Sequence, residues 1–297
     1  MTSPAEAARI LRHGALTILG RIRSASNATF LCEARLGDGP DGGGAGGGGA
    51  GGGGAGGAVL HCVYKPIAGE QPLWDFPDGT LAGRERASFL ISDRLGWNLV
   101  PDTVIRDGPA GPGMVQRWVN QPGDGLAGSP QPPEDAEVAP DLVDICPVDA
   151  VPDGYLPVLR AQDYDGNEVA LVHADDRRLR RLAVFDVLVN NADRKGGHVL
   201  AGTDGRVYGV DHGLCLHAQD KLRTVLWGWA GQPIGGETLC DITKLLAALD
   251  GEFGAELAEH LTDAELAALG DRARGLLADP ALPGPDQRAR PIPWPAF

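Results

Sequence analysis

Apolar and polar positions follow two different patterns along this chain. In the first 120 residues the apolar positions form short runs bounded by glycine and proline, as in residues 58–66, 100–106 and 113–119. Such runs predict β-strands, and the Gly-Pro-rich turn between the last two predicts an antiparallel pair. One helix interrupts the strands, because Thr80 is placed to cap a segment that runs from residue 81 to about residue 95.

Beyond residue 154 the chain becomes mainly helical. After two short apolar runs (155–159 and 169–173), Leu179, Leu182, Phe185 and Val189 form one helical face, with Asp175 and Asp176 at its positive end. Asp186 lies near that face, and we expect it to hydrogen-bond the loop that follows. Amphipathic helices are also predicted at 237–249 and 253–261. A capping box at 262–265 predicts the start of another helix, and Ser3-Pro4 predicts the start of a helix at the beginning of the sequence. The fold class is therefore expected to be α+β.

Two segments depart from both patterns. Residues 37–57 are almost entirely glycine and alanine, which predicts a flexible loop and lacks the spacing of a nucleotide-binding fingerprint. Residues 120–153 are acidic and rich in proline with little periodicity, which predicts an insert or linker.

The strongest chemical signal lies in two short polar stretches on either side of an apolar strand. Asn190 to His198 follows the 175–189 helix, and a turn at 203–205 leads to a strand that ends in Asp211-His212-Gly213. This hairpin is expected to bring Asp193, His198 and Asp211 to the same end. Phosphoryl transfer needs oxygen ligands for Mg²⁺, a carboxylate that orients the attacking hydroxyl, and a lysine on the phosphates.

On these residues the chain resembles the protein-kinase-like superfamily, and within it the bacterial phosphatidylinositol 3- and 4-kinase-like and HipA-like atypical kinases. Their loop reads Asn-x-Asp-x-x-x-x-Asn, which Asn191-Ala192-Asp193 matches, and their metal element Asp-x-Gly matches Asp211 to Gly213. His198 stands where the family has its second asparagine, and imidazole is a poor ligand for Mg²⁺.

The resemblance implies a bilobal fold with a small antiparallel-sheet N-lobe (1–119) and a mostly helical C-lobe (120–297). It also implies ATP and Mg²⁺, or Mn²⁺ in its place, with Asp193 as catalytic carboxylate and Asp211 and His198 as metal ligands. Lys65 would contact the phosphates and Glu85 would hold Lys65. A solvated Lys65 at a strand end, and Glu85 paired with Arg84 or Arg86, are the alternatives.

Further ATP contacts follow from the same resemblance. Ser26 and Asn27 lie where the phosphate-covering loop is expected, although the segment has no glycine and a plain β-turn is an alternative. Gln116, Arg117 and Trp118 lie where the hinge meets the adenine, although Trp118 would also suit a core position.

Composition restricts the partners. The formal net charge is −14, whereas proteins that bind nucleic acid or an anionic membrane normally have a basic surface. A protein or small-molecule hydroxyl is therefore a more expected substrate than a lipid. The five scattered cysteines form no C-x-x-C motif, and no apolar run is long enough for a membrane span or a signal peptide. We therefore expect a cytoplasmic protein with reduced thiols and no membrane insertion.

Three functions remain open from the sequence. The first is an ATP-dependent phosphotransferase with an unknown acceptor. The second is a pseudokinase-like nucleotide-binding regulatory module, which His198 and the absent glycines favour. The third is a transition-metal hydrolase that uses Asp193, His198, Asp211 and His212.

Overall fold

The structure is a computed structural model, and it describes residues 3–22, 27–37, 58–77, 80–123, 125, 141–286 and 288–297. The glycine-rich tract from residue 38 to 57 and most of the acidic insert, residues 124 and 126–140, lie outside the described residues.

Six α-helices and ten strands form among the described residues. The helices are α1 (Pro4–His13), α2 (Leu81–Arg94), α3 (Arg177–Val189), α4 (Gly236–Ala248), α5 (Glu252–Ala258) and α6 (Asp263–Ala278). The strands are β1 (Ala15–Arg21), β2 (Phe30–Arg35), β3 (Val59–Pro66), β4 (Thr103–Gly108), β5 (Gly111–Arg117), β6 (Val143–Pro147), β7 (Tyr155–Gln162), β8 (Glu168–Ala174), β9 (Val199–Ala201) and β10 (Val207–Gly209).

The chain divides into two compact units. The first comprises residues 1–72 and 102–118, and the second comprises 73–101 and 119–297. Residues 73–101, with α2, thus belong by their contacts to the second unit, although the sequence analysis assigned them to the N-lobe. The division into an N-lobe and a C-lobe at residue 119 stays a prediction.

The first unit is a five-stranded antiparallel sheet in the order β1-β2-β3-β5-β4. Alternate residues of the central strands, including Cys32 and Tyr64, point to one face and are buried there. Helix α1 covers that face with Ile10 and Leu11. Ser3 accepts a hydrogen bond from the Glu6 amide at the start of α1, as the Ser-Pro signal predicts.

The second unit has a helical core and two small sheets. Its largest apolar cluster joins α2, α3, α4 and α6, with the fully buried Phe185, Leu188 and Trp229 among its members. Strands β6, β8 and β7 form one antiparallel sheet in that order, and β9 pairs with β10 as a hairpin. Thr262 and Glu265 form the predicted capping box of α6.

The predicted α+β class is confirmed, with antiparallel sheets and the helices α1 to α6. The strand pair β4–β5, helix α2 with its Thr80 cap, and helix α3 lie where the sequence placed them. Strand β6 was missed: it lies inside the predicted insert and pairs with β8. Its five residues are too short to give a clear alternation. No helix in the described part of the chain combines the length and the apolar character that a membrane span requires.

Candidate functional site

Helix α3 fixes the position of the candidate catalytic loop, residues 190–198. The helix packs Leu179 and Phe185 in the core and ends at Asn190, whose left-handed backbone (φ 53°) turns the chain out of the helix. Asparagine tolerates this conformation better than most residues. The Asn190 side-chain amide donates to the carbonyl oxygens of His217 and Gln219 and accepts from the Lys221 N–H. The loop therefore starts from a rigid point.

A buried ion pair anchors the loop to the helix. Asp186 of α3 and Arg194 of the loop are both fully buried, and their side chains are 2.9 Å apart at the closest atoms. Asn191 Nδ2 also donates to Asp186 at 3.0 Å. Asp186 thus hydrogen-bonds the loop that follows the helix, as expected from its place near the apolar face.

The guanidinium of Arg194 connects the loop with both ends of the β9–β10 hairpin. Besides Asp186, it donates to the carbonyl oxygens of His198 and Val210, each at 3.1 Å, and to Nε2 of His212 at 2.8 Å. A guanidinium has only donors, so Nε2 of His212 is the acceptor. All five N–H groups of Arg194 are therefore used, which fixes the residues on either side of the hairpin.

Asp193 is held by its backbone while its carboxylate stays partly accessible. Its N–H donates to Oδ1 of Asn191 at 2.9 Å, and its side chain is 25% exposed. Lys195 Nζ lies 3.6 Å from Oδ2. Desolvation raises the pKa of Asp193 to about 6; Lys195 lowers it and Asp211 raises it further. Such a carboxylate is a stronger base than an exposed aspartate.

His198 and Asp211 meet at the same end of the hairpin. Nδ1 of His198 lies 3.0 Å from the Asp193 carbonyl oxygen and must donate to it, since a carbonyl only accepts. Nε2 lies 3.3 Å from Oδ2 of Asp211. Burial lowers the pKa of His198 to about 4, so the ring is neutral at pH 7 and turns a lone pair toward the carboxylate.

This pair fits a divalent cation. Two acceptor atoms 3.3 Å apart repel each other, and a cation that both bind removes the repulsion. The Asp211 side chain is about half exposed (48%), which leaves room for further oxygen ligands. Asp211 has a left-handed backbone (φ 60°) at the point where the chain leaves β10, so the carboxylate is presented at a turn and not along a strand.

Glu85 of α2 is buried and belongs to the same unit. Its Oε2 accepts a hydrogen bond from the His212 N–H at 3.0 Å, directly after the candidate metal ligand Asp211. The neighbouring arginines have their own carboxylates, Arg84 with Glu265 and Arg86 with Glu256. The predicted pair of Glu85 with Lys65 involves residues of different units and stays a prediction.

The other predicted ATP contacts lie in the first unit. Lys65 is on β3 opposite Met114 of β5. The Gln116 side chain is buried and donates to Thr103 Oγ1, Arg117 pairs with Asp102, and the Trp118 N–H donates to the His61 carbonyl. Asn27 Oδ1 accepts from the Gln71 N–H. The Gln116 side chain and the Trp118 backbone N–H are thus engaged within the first unit. Ser26 lies outside the described residues.

Sequence reasoning missed two features of the site. One is Arg194. It could have been predicted from Asp186, because a carboxylate on a buried helix face needs a partner of opposite charge. The other is the contact of the C-terminal segment with the candidate catalytic loop, since the sequence indicates only that residues 280–297 form an irregular tail that Trp294 and Phe297 would hold in place. Its Ala296 carbonyl accepts from the Gly196 N–H at 2.8 Å, and a Cβ at Gly196 would overlap the Phe297 ring.

Comparison with known proteins shows the family to which the chain belongs. No protein-family model matches the chain. Protein Rv2133c of Mycobacterium tuberculosis is 59% identical over 288 residues, which cover 97% of this chain and 94% of that protein. The chain belongs to the family of Rv2133c. The name of this bacterial relative states neither an activity nor a substrate.

Two weaker similarities involve kinases. Phosphatidylinositol 4-kinase gamma 4 of Oryza sativa subsp. japonica is 32% identical over 81 residues, which cover 25% of this chain and 14% of that protein. The crystal structure of the Helicobacter pylori proinflammatory kinase CtkA matches with a TM-score of 0.35 and 10% identity, over 75% of this chain and 88% of that one. A TM-score at this level is too low to assign the fold.

Proposed function

We propose that the protein is an ATP- and divalent-metal-dependent phosphotransferase that acts on a protein or small-molecule hydroxyl. The observation that carries this proposal is the convergence of Asp193, His198 and Asp211 around one hairpin, held by the buried Arg194. The short sequence similarity to a phosphatidylinositol 4-kinase supports the reaction class. The net charge of −14 makes a lipid acceptor less favourable than a soluble one.

Asp193 would orient the acceptor. Its carboxylate accepts a hydrogen bond from the acceptor hydroxyl, and its raised pKa helps it to take the proton as the oxygen attacks. The bond between the γ-phosphorus and the β-phosphate oxygen breaks, ADP leaves, and the proton passes from Asp193 to solvent. Lys195, at 3.6 Å, lies where it can stabilise the carboxylate between turnovers.

Asp211 and His198 would hold the divalent cation. When bound there, the cation neutralises charge on the β- and γ-phosphate oxygens. Among the described residues, no group of three or more His, Cys, Asp or Glu side chains is arranged to hold a metal. Two protein ligands are compatible with Mg²⁺ or Mn²⁺ sites in which nucleotide phosphates and water complete the coordination.

The remaining roles follow the kinase resemblance and are part of the proposal. Lys65 would contact the phosphates, and Glu85 would hold both Lys65 and, through its hydrogen bond, the backbone of His212. Asn27 and residues 116–118 would lie at the nucleotide. The protein is proposed to act in the cytoplasm.

Two other functions remain to be weighed. The pseudokinase-like module is favoured by one observation, the histidine in place of the asparagine ligand. The hydrolase needs His212 as a fourth ligand, but Nε2 of His212 accepts a hydrogen bond from Arg194 inside the second unit. That nitrogen is therefore engaged in holding the loop.

The proposal is tested with γ-labelled ATP. The purified protein is incubated with labelled ATP and either Mg²⁺ or Mn²⁺, while nucleotide binding, hydrolysis and transfer of label to the protein are followed separately. Metal-dependent hydrolysis or transfer is the expected result. Nucleotide binding without any turnover would support the pseudokinase-like module, and absence of nucleotide binding with both metals would contradict the proposal.

A further inference from the structure

A pocket of basic side chains lies in the second unit beside the candidate catalytic loop. Lys221, Arg223, Arg288 and Arg290, together with Trp74 and Asp220, line a cavity of about 570 Å³, which we call the basic pocket. Four cationic side chains in one cavity stand out in a chain with a net charge of −14. A local field of this sign attracts an anion.

Two of these cations, Lys221 and Arg288, are already paired with carboxylates. Lys221 lies 3.2 Å from Asp75, and Arg288 lies 2.5 Å from Asp220. The guanidinium groups of Arg223 and Arg290 have no hydrogen-bond or salt-bridge partner among the residues that the structure describes. Within the described part of the chain, the basic pocket therefore offers the guanidinium groups of Arg223 and Arg290 to a ligand.

The wall that carries Lys221 and Arg223 is a rigid part of the site. The Lys221 N–H donates to Oδ1 of Asn190, the residue that ends α3. Arg223 is bonded to the catalytic loop on both sides of Asp193, since its N–H donates to the Asn191 carbonyl at 2.9 Å and its carbonyl accepts from the Arg194 N–H at 3.0 Å. Paired backbones of this kind lie about 5 Å apart.

The direction of the side chains links Arg223 with Asp193. Arg194 and Thr224 form a parallel bridge, and both side chains reach the buried Asp186. Successive side chains of extended backbone point to opposite faces. We therefore expect Asp193 and Arg223, which precede Arg194 and Thr224 in the chain, to point to the same side, away from Asp186. Both residues are partly exposed.

From this arrangement we infer that the basic pocket binds the phosphate of a phosphomonoester acceptor whose hydroxyl lies at Asp193. The inference rests on the phosphotransferase proposed above. Planar guanidinium groups bind phosphate oxygens in pairs, and the exposed Trp74 supplies an apolar surface for the carbon skeleton of the acceptor. Attack of that hydroxyl on the γ-phosphorus of ATP, with the proton passing to Asp193, yields ADP and an acceptor with two phosphate groups.

The experiment measures phosphate binding separately from nucleotide binding. Glycerol 3-phosphate and inorganic phosphate are titrated calorimetrically, without nucleotide, into the wild-type protein, into Arg223→Gln/Arg290→Gln and into the control Arg274→Gln. Arg274 is an exposed arginine of α6 paired with Asp271, outside the basic pocket. Sedimentation with phosphatidylcholine vesicles, with and without phosphatidic acid, tests whether the phosphate comes from a lipid.

We expect saturable binding to the wild type and the control, weakened at least about ten-fold in the double variant because charge-assisted hydrogen bonds are lost. Binding only to phosphatidic acid vesicles, lost in the same variant, would assign the phosphate to a lipid headgroup and support the pocket. Absence of binding to glycerol 3-phosphate, inorganic phosphate and phosphatidic acid vesicles alike, or equal binding by wild type and double variant, would overturn it. Labelled ATP is titrated in parallel, so failure of nucleotide binding with intact phosphate binding would contradict the phosphotransferase and leave the pocket in place.

Discussion

His198 is the single residue at which this chain departs from the kinase loop it resembles. A neutral imidazole with Nε2 directed at Asp211 replaces an asparagine oxygen. Nitrogen ligands suit first-row transition ions better than Mg²⁺, which prefers oxygen. In the proposed phosphotransferase, His198 therefore bears on the choice of metal. Its place beside Asp211 makes it a candidate ligand.

Replacing His198 with asparagine should change the metal preference. We expect the wild type to turn over faster with Mn²⁺ than with Mg²⁺, and His198→Asn to shift the ratio of the two rates toward Mg²⁺ by about ten-fold, because an oxygen ligand replaces nitrogen. Initial rates of label transfer at saturating concentrations of each metal measure this ratio. An unchanged ratio with unchanged rates would show that the His198 side chain does not reach the metal.

The sequence indicated these candidate residues because their chemistry is local. Asp193, His198 and Asp211 belong to short motifs whose spacing around a hairpin is readable in one dimension. Arg194 was missed because its role depends on burial against Asp186 and on the carbonyls of residues 198 and 210, which only the folded chain brings together. Arg223 was missed for the same reason: its place beside Asp193 comes from backbone pairing between distant segments.

At the scale of elements, α3, the loop and the β9–β10 hairpin act as one assembly around Arg194. The helix supplies Asp186, the loop supplies Arg194 and Asn191, and the hairpin supplies carbonyls at both ends. The helix could be predicted from its apolar periodicity, and the hairpin from its turn residues. Strand β6 and the contacts of segment 288–297 could not be predicted, because neither has a repeating pattern long enough to read.

Breaking this assembly should destabilise the protein strongly. Arg194→Met leaves the carboxylate of Asp186 buried without its cation, and we expect the free energy of unfolding to fall by about 3–5 kcal/mol. Urea denaturation followed by circular dichroism measures this. Arg274→Met is the matched control, since its pair with Asp271 is exposed and contributes less than about 1 kcal/mol.

A second variant separates the lost pair from lost packing. In Arg194→Met/Asp186→Leu both charges are absent, so we expect the double variant to recover much of the stability, as buried ion pairs replaced by apolar side chains often do. If Arg194→Met alone were as stable as the control variant, the pair would not hold the loop.

At the scale of the whole molecule, the chain combines a five-stranded antiparallel unit with a larger, mainly helical unit that contains Asp193, His198, Asp211 and Glu85. Its relationship to Rv2133c establishes a family without stating an activity. For the proposed phosphotransferase, the acidic composition and the basic pocket together favour a small anionic acceptor over nucleic acid. In the proposed phosphotransferase, catalysis depends on the carboxylates of Asp193 and Asp211.

The most direct test compares Asp193→Asn with Asp211→Asn in one preparation. We expect Asp193→Asn to keep nucleotide affinity within about three-fold and to lower turnover by about 10²–10⁴, the scale of a lost positioned base. Asp211→Asn should weaken metal-dependent nucleotide binding and abolish transfer, because the cation loses its carboxylate. Nucleotide affinity and label transfer are measured for both variants with Mn²⁺ and with Mg²⁺. If a preparation that transfers phosphate keeps its turnover in both variants, the active site does not lie at this hairpin.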